Sequence, residues 1–98
     1  MIETEIIETN KGAALGYRHL LGNKPPWLVI IQAEKGYLAT DYINKDFADE
    51  IGDCFPIVSG AKDFDDMLNG KITWASREAK KLGITPGMLG KDALNMMM

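Results

Sequence analysis

Over its first forty residues the chain repeats with a period of two, and from Asn44 onward it repeats at helical spacing. That switch constrains the fold more than any other feature, because successive side chains of a strand face opposite ways while those of a helix recur every three to four residues. Ile2, Thr4 and Ile6 alternate with Glu3 and Glu5, the pattern of a strand with one wet face. Asn10-Lys11-Gly12 reads as a turn in which glycine supplies a positive φ. Ala13 to Leu20 alternates again, with Leu15, Tyr17 and His19 on one side and Arg18 on the other. Gly22 to Pro26 closes a second hairpin. Trp27 to Ile31 is apolar on both faces, as a covered central strand would be, and Glu34-Lys35-Gly36 turns it into Tyr37 to Thr40.

In the second half, Asn44 is a helix cap followed by Phe47, Ala48 and Ile51 at helical spacing, with Gly52 as terminator. Cys54 to Val58 is a short strand in which Pro56 suggests a sheet edge. Asp63 caps a short helix that ends at Asn69-Gly70. Thr73 to Leu82 reads as a third helix with Ala75, Ala79 and Leu82 inward. Strands over 2–40 and 54–58, with helices near 44–51, 63–69, 73–82 and 90–97, predict one α+β domain. Its architecture is a two-layer sandwich, an antiparallel meander with helices packed on one face. A chain of 98 residues has no room for two cores.

Charge and composition narrow the function. A formal net charge of -3 argues against nucleic-acid binding, which needs a basic surface. The balance is uneven: residues 1–70 carry six Lys or Arg against twelve Asp or Glu, and residues 71–98 carry five against two. The longest apolar run is too short to cross a bilayer. The acidic start MIETEIIE lacks the pattern of a signal or transit peptide. One cysteine fits a reducing compartment, so a cytoplasmic protein is expected.

No catalytic constellation emerges. One His19 and one Cys54 cannot build a zinc site, and Ser59 and Ser76 lack a nucleophile elbow. Asp46, Asp63, Asp65 and Asp66 sit at helix starts, where carboxylates cap free N–H groups. Asp41 differs in following a strand. The run Gly83 to Lys91 fails as a phosphate loop, because only two residues separate Gly87 from Gly90 and Lys91 is followed by Asp92. Its glycines read instead as helix punctuation, with Gly83 ending one helix and Gly90 opening the last. No cofactor and no metal are expected.

With these elements placed, the chain resembles the YunC-like family, small bacterial and archaeal proteins known only as a domain of unknown function. The similarity runs from about Val29 to the C-terminus. It rests on Gly36-Tyr37-Leu38, Ile51-Gly52-Asp53, Val58-x-Gly60-x-Lys62, Phe64 to Asn69, and the string from Ala79 through Gly83, Gly87 and Gly90-Lys91-Asp92-Ala93-Leu94. The resemblance implies a two-layer α/β sandwich without an assigned reaction. Relatives carry Cys-Gly where Thr40-Asp41 stand here, so no thiol chemistry at that position transfers to this chain.

Two functions follow as expectations. The first is a non-enzymatic binding or assembly module that can self-associate as a homo-oligomer, using surplus apolar groups such as Trp27, Tyr42, Trp74, Met97 and Met98. The second is a binder of a small anionic metabolite, or a minor enzyme. Its cleft would form where Thr40, Asp41, Ser59, Gly60 and Lys62 meet the turn of Gly87, Gly90 and Lys91. Neither involves nucleic acid or membrane.

Overall fold

The computed structural model describes residues 1–24 and 27–98. Pro25 and Pro26, expected to help close the second hairpin, lie outside the described residues. Ten elements follow in order: β1 (Ile2–Thr9), β2 (Gly12–His19), β3 (Leu28–Gln32), β4 (Tyr37–Ala39), α1 (Lys45–Glu50), β5 (Pro56–Ile57), α2 (Phe64–Asn69), β6 (Trp74–Ala75), α3 (Arg77–Lys81) and α4 (Gly90–Met96). The fold is α+β. The six strands form one sheet in sequence order, antiparallel except where β4 and β5 run parallel.

That parallel pair explains where the helices lie. Joining two parallel strands needs a crossover over one sheet face, and α1 is that crossover. Its Ala48 packs with Ile30, Ala39, Phe55 and Ile57. Helices α2, α3 and α4 cover the opposite face, where Met67, Ala79, Ala93, Leu94 and Met97 meet Ile7, Ala14, Val29, Ile31, Leu38 and Val58. The sandwich thus has a full helical layer on one side and a single short helix on the other. Val29, Ile30 and Ile31 are all buried, as expected of a strand with apolar residues pointing both ways.

The Asn44 and Asp63 caps follow the sequence, and Ser76 adds a third. Asn44 accepts from the Phe47 N–H, Asp63 from Asp66 and Ser76 from Ala79. Gly83 and Gly87 both take φ +95°.

Three local expectations are corrected. Trp74 and Ala75 form a strand rather than a first helical turn, and Ser76 starts the helix. The Ser76 N–H donates to Phe55 O and the Phe55 N–H donates to Ser76 Oγ at 3.0 Å each, which holds this segment on the sheet. Pro56 lies between β4 and β6, not at an edge. The strand's own donors fall on either side of it: Phe55 N–H to Ser76 Oγ at 3.0 Å and Val58 N–H to Ala39 O at 2.9 Å. In β1 it is the Ile7 face that turns toward the helices, leaving Ile2, Thr4 and Ile6 on the open side.

Candidate functional site

The polar residues singled out in the sequence separate into distinct places. Asp41 follows β4 and meets the turn after β5: Ser59 Oγ donates to Asp41 Oδ1 at 2.9 Å, and the Gly60 N–H donates to Oδ2 at 3.3 Å. Thr73 joins them with its Oγ1 2.8 Å from Ser59 Oγ, and also reaches Ile57 O at 3.2 Å. Hydroxyls, amide and carboxylate are thus engaged with one another, stitching the ends of β4 and β5 together. Thr40 is fully buried beside this junction; its Oγ1 lies 3.3 Å from Trp27 O and 3.5 Å from Val29 N.

Lys62 contributes backbone rather than charge. Its carbonyl accepts from Arg18 Nη1 at 2.9 Å, and its N–H donates to Asp66 Oδ2 at 3.1 Å. Ser59 and Gly60 line a concavity of about 340 Å³ with Asp66, Asn69 and Lys71. Lys91 lines another, of about 370 Å³, with Asn10, Asn69, Asp92 and Asn95. Lys62 lines neither. The Gly90 N–H donates to Gly70 O at 2.8 Å, so this helix start holds the neighbouring chain segment, and Gly87 N–H likewise donates to Ile72 O.

Of the residues expected at an interface, Tyr42 stays 48% exposed, whereas the methionines turn inward. Met97 is 0% exposed, packed beneath Gly36, and its carbonyl accepts the Lys35 N–H at 2.7 Å. Met98 packs against the same core cluster. Trp74 sits half-buried in an aromatic row: its ring centre lies 5.3 Å from that of Phe55, which stacks on Tyr37, while Lys45 Nζ lies 5.8 Å above the indole. Tyr37 donates to Asp53 Oδ2 at 2.6 Å, and burial together with that carboxylate raises its phenol well above the ordinary value. Burial also pushes the Cys54 thiol up, which disfavours the reactive thiolate.

The surplus apolar surface is elsewhere. Register places Ile2 opposite His19, Thr4 opposite Tyr17 and Ile6 opposite Leu15, all on the sheet face that α1 covers only in part. Ile2 is 62% exposed, Ile6 61% and Leu15 44%; on α1 Phe47 is 58% exposed, and its C-cap Ile51 is 60% exposed. The sequence carried one signal of this: Ile6-Ile7 is an apolar doublet in an alternating strand, so both faces of β1 bear a large side chain. A bare sheet half thus lies beside a helix with an apolar outer ridge, and together they form an exposed apolar surface.

Fold and surface therefore define a small α+β domain with an open sheet face. The chain belongs to the family of the domain of unknown function DUF1805, which matches residues 41–97. A crystal structure of a protein of unknown function from Thermoplasma acidophilum, TA1206, is similar throughout, with a TM-score of 0.92 and 33% sequence identity. The similarity covers 100% of this chain and 94% of that one. No curated protein matches the chain. Among the described residues no helix is long and apolar enough to cross a membrane.

Proposed function

We propose that this chain is a cytoplasmic, non-enzymatic assembly module that works as a pair of identical copies, and that within its family it stands with the YunC-like proteins. The observation that carries this reading is the half-covered sheet face. A two-fold axis lays the α1 ridge of one copy, Phe47 and Ile51, on the bare Ile2, Ile6 and Leu15 of the other, and does so twice. Each copy then supplies the helical layer that its partner lacks, which is how a self-complementary surface closes a dimer.

Half-exposed aliphatic side chains of this kind contribute roughly 1 kcal/mol each when covered, and symmetry doubles every one of them. Light scattering at micromolar concentration tests the reading. The expected mass is twice 10.8 kDa, falling to a single chain in Ile6→Lys or Phe47→Glu. A wild-type monomer at every concentration up to a millimolar would remove the proposal.

A further inference from the structure

A second surface lies along the free edge of the sheet. β1 is an edge strand of eight residues, paired with β2 in an uninterrupted register from Ile2–His19 to Thr9–Gly12. It contains no proline and no bulge, the usual devices that blunt an edge. The Leu20 N–H donates to Met1 O at 3.1 Å, which makes residues 1 and 20 a hydrogen-bonded pair in this register. Antiparallel pairs alternate, so the odd residues 3, 5, 7 and 9 bond to β2. The even residues Ile2, Thr4, Ile6 and Glu8 therefore present their N–H and C=O groups outward, a row roughly 20 Å long at about 3.4 Å per residue.

Beside that row, two concavities lie between β1 and the helices on the covered face. One, of about 390 Å³, is lined by Glu3, Thr4, Glu5 and Arg18 from the sheet and by Asp63, Phe64 and Asp65 at the start of α2. The other, of about 370 Å³, runs from Glu8, Thr9 and Asn10 to Leu68, Asn69 and the α4 residues Lys91, Asp92, Leu94 and Asn95. Strand edge on one side and helix on the other is the geometry in which an extended peptide adds a strand, with backbone bonds giving affinity and alternate pockets giving specificity.

Charge selects the occupant. Four carboxylates face one guanidinium in the first concavity, and Arg18 is already bound to Glu3 through Nε at 2.7 Å. Among the described residues no three His, Cys, Asp or Glu converge as metal ligands. A second copy of β1 is the wrong partner. The segment Ile2–Thr9 holds three glutamates and no basic residue, so antiparallel self-pairing sets acid against acid.

We infer that the β1 edge accepts an extended segment of another protein, with Lys or Arg at alternate positions facing Glu3, Glu5 and Asp65 and apolar residues on the opposite side beside Ile2 and Ile6. The site adjoins the proposed dimer contact at Ile2 and Ile6, and differs from it in using the outward backbone row and the helix-side concavities.

The test uses the full chain and a synthetic heptapeptide, acetyl-Val-Lys-Val-Lys-Val-Lys-Val-amide, followed by NMR titration and amide hydrogen exchange. At saturation the Thr4, Ile6 and Glu8 amides should exchange at least ten-fold more slowly. A peptide N-methylated at alternate backbone nitrogens, which keeps its charge but loses its ladder donors, should bind at least ten-fold more weakly. The double variant Glu5→Lys, Asp65→Lys leaves the Asp63 cap intact and should weaken binding by a similar factor. No binding, or equal binding of the methylated peptide with β1 exchange unchanged, would overturn the inference. Protection of these three amides without peptide, in step with a doubled mass, would assign the edge to a second copy instead.

Discussion

Replacing Gly90 by alanine separates two roles for that glycine, a ligand-facing helix start and a point of close helix packing. A methyl group on its Cα would lie 1.8 Å from the Met67 carbonyl oxygen, where real contacts essentially never fall below 3.0 Å. The start of α4 must then withdraw from α2 by at least 1.2 Å, the difference of those two distances. Withdrawal breaks the Gly90 N–H bond to Gly70 O at 2.8 Å and strains the adjoining Ile72 N–H bond to Met88 O at 2.7 Å. Each of these costs about 1 kcal/mol. Forcing the packing of Ala93 and Leu94 around Met67 adds about 1 kcal/mol, the low end for overpacking. The better helix propensity of alanine counts for little at the first helical residue.

The sum is about 3 kcal/mol, or a fall in Tm of roughly 15 °C for a domain of this size. Gly87→Ala is the internal control. Gly87 has φ +95° and open space around it, so only backbone strain of about 1–2 kcal/mol applies. Thermal and urea unfolding followed by circular dichroism should rank Gly90→Ala well below Gly87→Ala. A Gly90→Ala variant within two or three degrees of wild type, a loss of less than about 1 kcal/mol, refutes the close-packing account.

Met97→Ala should destabilise by about 3 kcal/mol in urea titration, because it empties a fully buried site under Gly36; a surface methionine would cost almost nothing. Tyr37 gives a pH signature. Its folded phenol titrates above its unfolded counterpart, so the stability it contributes is complete below the ordinary tyrosine value near 10 and is lost as pH rises beyond it. Melting temperature measured from pH 8 to 11 should fall more steeply in wild type than in Tyr37→Phe, and parallel curves would contradict the Tyr37–Asp53 contact.

Local signals in the sequence translated well where one residue type has one backbone use. Asn44, Asp63 and Ser76 are short acceptors that can only help a helix from its first turn, and all three do so. Of these, Ser76 lay inside an expected helix, since nothing near Thr73 announces that Phe55 and Ser76 will exchange hydrogen bonds across the sheet. Face assignment was harder. Alternation in β1 shows that two faces differ, yet which of them meets the helices depends on the crossover hand of the whole chain. Met97 illustrates the same limit from the other end: a terminal methionine run looks like spare surface until Gly36 and Lys35 are seen to receive it. Lys62 and Lys91 look alike in the sequence because both sit at element junctions, yet Lys91 lines a concavity and Lys62 lines neither that one nor the one beside Ser59.

In the proposed dimer, α1 of one copy covers the bare sheet face of another. Its most direct test is an isotope-filtered NOE experiment on a mixture of labelled and unlabelled chains. Intermolecular contacts are expected from the Phe47 ring and the Ile51 methyls to the methyls of Ile6 and Leu15. A dimer whose intermolecular contacts avoid these four residues, or a chain that stays monomeric under the same conditions, would contradict it.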